Sequence, residues 1–155
     1  MIPDLYLKLY LINKFFDFKN GSKVLEIGSG VGHFFRTINY MNLETINFTL
    51  EPQQDSHPSL KKINVNRLGI DLFDNLTEDL QGSFDLVTMS HVLEHFNAID
   101  ISEVLVIIHS ILRKNGVFFC EVPNADLDKY PDAGDLVRPH LAFFSAKSIS
   151  NLFIY

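Results

Sequence analysis

Apolar residues in this chain fall in short blocks cut apart by polar turns, and the blocks alternate in kind. Residues 23–27, 46–50, 84–89 and 116–122 are compact aliphatic or β-branched runs, each ended by glycine, proline or polar residues, and they predict buried strands. Between them, 31–41 and 99–112 carry apolar positions at helical spacing. The second of these closes on Arg113, Lys114 and Asn115, where cations favour a helix C-terminus. Leu5, Leu9, Ile12 and Phe16 also recur at helical spacing, although Lys8, Asn13 and Lys14 interrupt the run. They predict an amphipathic helix packed on the domain, with a helix lying on a membrane surface as the alternative. A weak helix is expected around 59–63 and a short third strand at 67–70.

Strands alternating with helices imply βαβ units with right-handed crossovers and a mainly parallel sheet. Ligands in such sheets bind outside the carboxyl ends of the strands. The expectation is one domain over 1–155: a helical segment at 1–20, an α/β core at 22–124, and a substrate loop with a late helix at 125–155. The chain shows no repeat, low-complexity tract or linker.

Composition narrows the classes of function. Of the 155 residues, 46% are apolar and 21% charged, ordinary for one soluble globular domain. The net charge is −6, and basic residues adjoin only at Lys61-Lys62 and Arg113-Lys114. No cationic stripe exists for a phosphate backbone, so no duplex nucleic acid partner is expected. The interrupted N-terminal run cannot span a bilayer. The single cysteine, Cys120, lies inside a strand-like run. A lone thiol there, with no secretory signal, points to a reducing cytoplasm.

The first candidate chemistry is the segment Val24-Leu25-Glu26-Ile27-Gly28-Ser29-Gly30-Val31-Gly32, between the first strand and the first core helix. Glycines serve where backbone must turn sharply or a ligand must approach it. A dinucleotide fingerprint asks for glycine at 33, but that residue is His33. The spacing suits a ligand with an amino-acid tail: Glu26 toward an ammonium group, and the amides at the helix start toward a carboxylate. The alternative is a tight turn with no ligand. Glu51, ending the second strand, is placed to accept from ribose hydroxyls, or else it is a solvated strand-end carboxylate. Asp71 is placed to accept from an adenine amino group with Leu72 flanking the ring, or else it is a turn aspartate.

Four segments, in order, resemble the class I S-adenosylmethionine-dependent methyltransferases: VLEIGSGVGHF (24–34), EP (51–52), GSFDLVTMSHVLEHF (82–96) and ILRKNGVFFCEVPN (111–124). A fifth, RPHLAFFSAKSISNLF (138–153), is similar to the H-x-x-F-F-S segment of the subgroup that carries H-x-x-E-H after its fourth strand. The resemblance covers about residues 22 to 153. It implies a Rossmann-like three-layer α/β/α fold and S-adenosyl-L-methionine as cofactor. Glu26, Gly28, Ser29, Gly30 and Gly32 would then meet the methionine moiety, Glu51 the ribose, and Asp71 and Leu72 the adenine. Ser90 and His91 would line the cofactor and the substrate entrance. It also implies a seven-stranded sheet whose last antiparallel strand pair follows the late helix, and that pair is missing before Tyr155. The expectation is therefore a fragment or a truncated product, or else a sheet that a partner completes, with 117–122 as an apolar edge open to self-association.

His91-Val92-Leu93-Glu94-His95 also spells a zinc-peptidase signature. That chemistry needs the motif on a regular helix, and the strand before it and Asn97 after it leave little room, so no metal is expected. His91, His95 and His140 are instead the candidate general bases for a hydroxylated acceptor. His57 and His109 read as surface or packing residues. The expected function is methyl transfer to a small-molecule acceptor. The alternatives are a non-catalytic cofactor-binding or scaffolding module and, against His33, a nicotinamide oxidoreductase.

Overall fold

The structure is a computed structural model that describes residues 3–41, 43–50, 65–68, 80–125 and 140–153. Its elements run α1 (Pro3–Ile12), β1 (Ser22–Ile27), α2 (His33–Tyr40), β2 (Thr45–Leu50), β3 (Val65–Leu68), β4 (Phe84–Ser90), a 3-10 turn (Leu93–His95), α3 (Ala98–Ile111), β5 (Leu112–Glu121) and α4 (Ala146–Asn151). The five strands form one sheet in the order β3-β2-β1-β4-β5. Every pairing is parallel. The order reverses between β1 and β4, so their carboxyl ends flank the topological switch point, where such sheets open a crevice.

Alternation along the strands builds a core on each face. Val24 of β1, Leu86 of β4, and Val117 and Phe119 of β5 pack with Leu9, Ile12, Phe34, Phe35 and Ile38 from α1 and α2. Leu25, Ile27, Val87, Met89, Phe118 and Cys120 pack on the other face with Ile101, Val104, Ile108 and Ile111 of α3 and with Ile149 and Leu152. Two helical layers over a parallel sheet are the expected three-layer Rossmann-like arrangement. Fully burying each of these aliphatic side chains contributes about 1.5–3 kcal/mol, which makes β1 and β4 the firmest part of the frame.

Several boundaries differ from the sequence expectation. β3 begins at Val65 and pairs through Leu68, against an expected 67–70, because its register is set by β2, from Asn47↔Val65 to Leu50↔Leu68. The helix expected at 59–63 lies outside the described residues. α1 ends at Ile12, yet Phe16 stays buried because the chain turns back onto the same cluster. α3 stops at Ile111 and β5 starts at once, with Leu112 opposite Phe84 and the pairing resuming at Leu86↔Val117. The intervening residues bulge, with Asn115 at φ 64°, and Arg113 forms an ion pair with the buried Asp85. Arg113 thus serves a strand bulge instead of a helix C-terminus. β5 pairs only with β4 among the described residues, the edge position expected of it.

Candidate functional site

β1 hands the chain to α2 through a loop whose three glycines all have left-handed backbone: Gly28 at φ 72°, Gly30 at 52° and Gly32 at 75°. This conformation costs other L-residues about 1–2 kcal/mol each, so the run of alternating glycines is what permits the turn. Gly28 has a second requirement, since a Cβ there would lie 2.5 Å from Val92 Cγ2. A side chain at Gly30 would meet none of the described residues within 4 Å. Ser29 is buried and its hydroxyl accepts from Thr49 Oγ1 at 2.8 Å; the Gly28 amide donates to the Leu50 carbonyl at 3.0 Å. Thr49 thus fastens the loop to β2, a role that nothing in the sequence reading assigned to it.

Glu26 points into the α1–α2 face. Its Oε1 is 3.1 Å from Lys8 Nζ, and both side chains are only 7% exposed. The ammonium that Glu26 faces in this structure is therefore that of Lys8, which also lies 4.4 Å from the centre of the Phe34 ring. A lysine on the stripe shared by Leu5 and Ile12 was the available signal; it reads more easily as a break in an apolar run.

The other side of the crevice starts where β4 ends. Ser90 pairs with Glu121, and its hydroxyl is buried with no hydrogen-bond partner among the described residues. His91 follows in left-handed backbone, φ 54°, held by its amide donating to the Glu121 carbonyl at 2.9 Å. Its imidazole is 62% exposed, with Nδ1 3.6 Å from Glu94 Oε1. Leu93–His95 form one 3-10 turn, and Asn97 then caps α3 by accepting from the amides of Ile99 and Asp100. The regular helix that the zinc-peptidase motif requires does not form.

A distant segment completes this side. The amides of Leu141 and Ala142 donate to the Glu94 carbonyl at 2.8 and 3.0 Å, while Ala125 donates to Phe144 at 2.8 Å beside the Asn124↔Phe144 bridge. Phe144 is buried, and the strap it anchors sets the His140 ring 5.1 Å from that of His95. Glu94, His95 and His140 each bring one metal-ligating atom within 4.8 Å of the others. Cys120, beneath them on β5, has its pKa pushed up to about 12 by burial first, then by Glu94 and Glu121.

Of the residues expected to form the site, the structure brings Glu26, Gly28, Ser29, Gly30, Gly32, Ser90 and His91 to adjoining strand ends and sets His95 beside His140. Glu51, Asp71 and Leu72 lie outside the described residues, as does His57. His33 and His109 are exposed on α2 and α3.

A glycine loop at the switch point of a parallel sheet defines a Rossmann-like fold. Within that class, residues 6–154 match the model of the methyltransferase domain family, and the chain belongs to it. No curated protein matches. Among solved structures it is similar to a SAM-dependent methyltransferase from Archaeoglobus fulgidus, at 20% identity and a TM-score of 0.66 over 95% of this chain and 65% of that one. It is also similar to phosphoethanolamine N-methyltransferase 2 from Haemonchus contortus, solved with S-adenosyl-L-methionine (16%, TM-score 0.72, 95% of this chain and 35% of that one). PigF with SAH aligns at 18% and a TM-score of 0.69 over 92% of this chain and 46% of that one. These likenesses show the fold. The chain spans less than two thirds of each of those three chains. Among the described residues no helix is long and apolar enough to cross a membrane.

Proposed function

We propose that this chain binds S-adenosyl-L-methionine in the β1–α2 cradle and transfers its methyl group to a hydroxylated small molecule. The observation that carries this reading is the loop itself: three left-handed glycines, with no described residue within 4 Å of a side chain at Gly30, set against Val92 at the switch point. A buried Ser90 hydroxyl without a partner among the described residues suits a polar ligand in the same crevice.

In this reading the loop amides between Gly28 and Gly32, whose own N–H groups bond to the Leu50 and Ser29 carbonyls, hold the methionine carboxylate, and Glu26, shared with Lys8, faces the amino group. Glu51 takes the ribose hydroxyls, and Asp71 with Leu72 the adenine. The cofactor supplies a sulfonium, an electrophile that needs an aligned nucleophile more than an acid. The chain's part is positioning: holding acceptor and methyl carbon about 3–3.5 Å apart in line recovers much of the barrier. His91, His95 and His140 bring imidazoles to the acceptor side, where one takes the hydroxyl proton.

Calorimetric titration with S-adenosylmethionine and S-adenosylhomocysteine, with NAD as the control, tests the binding half. Saturable binding of the first two and none of NAD is expected; no affinity for either sulfur compound overturns the reading. A methyl-release assay over a panel of hydroxylated acceptors tests the second half. Binding without turnover on any of them would leave the alternative, a non-catalytic binding or scaffolding module. The cytoplasm is the compartment this reading assigns, and edge-to-edge pairing through β5 is its route to self-association.

A further inference from the structure

Glu94 is 1% exposed, and neither of its carboxylate oxygens has a hydrogen-bond partner among the described residues. An ionised carboxylate buried without bonds costs several kcal/mol, so such a group is normally matched by a cation. The only cationic side chain described within salt-bridge range is His91, at 3.6 Å and mostly in solvent. Two further imidazoles converge on the same point, since one ligating atom from each of Glu94, His95 and His140 lies within 4.8 Å of the other two.

We propose that Glu94, His95 and His140 hold a divalent first-row transition metal ion. The donor set is two imidazole nitrogens and one carboxylate oxygen, which suits zinc, iron or manganese and is too rich in nitrogen for calcium or magnesium. Bonds of about 2.0–2.2 Å at tetrahedral angles set donor atoms about 3.4 Å apart, so side-chain movements on the order of 1 Å close the cluster. The backbone is already arranged for it. The Glu94 carbonyl holds the amides of Leu141 and Ala142, which fixes the strap carrying His140 over the 3-10 turn carrying His95. This site is not the one that H-x-x-E-H spells on a helix. There the two histidines of the motif are the ligands and the glutamate a base; here the glutamate is a ligand and His140 replaces His91.

The cluster begins two residues beyond Val92, which packs on Gly28, so it adjoins the cofactor cradle. Resting on the methyl-transfer reading, a coordination position left open by three protein ligands would take an oxygen of the acceptor. With His95 and His140 engaged, His91 is the imidazole that remains for the proton.

The test uses the whole chain, stripped with chelator, dialysed and titrated with Co²⁺ while visible absorption is followed, then with Zn²⁺ as competitor. One Co²⁺ per chain with d–d bands of a nitrogen-oxygen site, displaced by Zn²⁺, is expected. Glu94→Gln, His95→Gln and His140→Gln should each weaken binding about a hundred-fold or more, since even outer-shell losses cost metal sites 10- to 100-fold. His109→Gln, on the exposed side of α3, should leave it unchanged. Circular dichroism checks each fold, and His140→Gln keeps the test decisive if the buried Glu94 variant does not fold. No saturable Co²⁺ binding, or binding that survives His95→Gln and His140→Gln, overturns the site. S-adenosylmethionine titration of the metal-free protein is read separately. Its failure would defeat the methyltransferase reading and leave the metal site standing.

Discussion

The two walls of the crevice are built by different means. The glycine wall is one short stretch of sequence: within Glu26 to Gly32 three glycines permit the left-handed turns, and β2 fastens the loop, through Thr49 to Ser29 and Leu50 to Gly28. The histidine wall is assembled at long range, from a turn at 93–95 and a strap at 140–144 joined by backbone bonds to the Glu94 carbonyl. Long-range construction depends on the strap staying docked, and in the proposed reading it is the wall free to vary with the acceptor.

The sharpest way to break the glycine wall is through the ion pair behind it. Lys8→Met leaves Glu26 as a buried charge with its cation removed, a change that costs about 3–5 kcal/mol. Urea unfolding should show that loss, and Lys8→Met combined with Glu26→Gln should recover most of it. An exposed-pair result, below about 1 kcal/mol, would mean that α1 does not seal this face.

Gly28→Ala comes next, because it strikes both walls. The substitution meets Val92 Cγ2 at 2.5 Å and imposes left-handed backbone on alanine, which alone costs about 1–2 kcal/mol. S-adenosylmethionine affinity should fall at least ten-fold. Adding Val92→Ala should restore only part of it, since it removes the clash and leaves the backbone cost. Full restoration would mean that contact between the walls, not the conformation of the loop, governs the cradle.

The same contrast explains what the sequence disclosed. The strand–glycine–helix unit was legible because period, β-branching and turn chemistry are all local there, and β1, β2 and β4 lie within a residue or two of where the pattern placed them. β3 was misplaced by two residues because pairing with β2, and no local signal, sets its register. Lys8 was hidden because a charge within an apolar stripe looks like an interruption until its partner, 18 residues away, is known. Glu94 was hidden by the motif around it: H-x-x-E-H directs attention to its histidines, and nothing in the sequence brings His140 to Glu94.

A smaller effect probes the histidine wall from within. His91 holds φ 54° only because its amide is fixed to Glu121. His91→Gly should relieve strain and stabilise the fold, by about 1 kcal/mol after the larger unfolded-state entropy of glycine is deducted. His91→Ala keeps the strain and should not stabilise. Equal behaviour of the two variants in thermal unfolding would place the left-handed turn elsewhere and detach Ser90 from the crevice.

The finest probe is Cys120, whose thiol reports whether the histidine wall is closed. Burial, with Glu94 and then Glu121 adding repulsion, raises its pKa from 9.0 to about 12, so at pH 8 the metal-free folded chain holds roughly a thousand-fold less thiolate than the unfolded one. Alkylation by iodoacetamide should be slower by that order in the native protein and become fast in denaturant. The sign of the linked stability follows. The folded pKa lies above the unfolded one, so the contribution is whole below about pH 9 and is lost as pH climbs toward 12. Cys120→Ala should flatten that alkaline decline without changing stability at pH 7 by more than the methyl-sized packing difference. Rapid alkylation of the native chain would show that the strap over His95 opens readily, and the long-range wall would then be assembled only when a ligand binds.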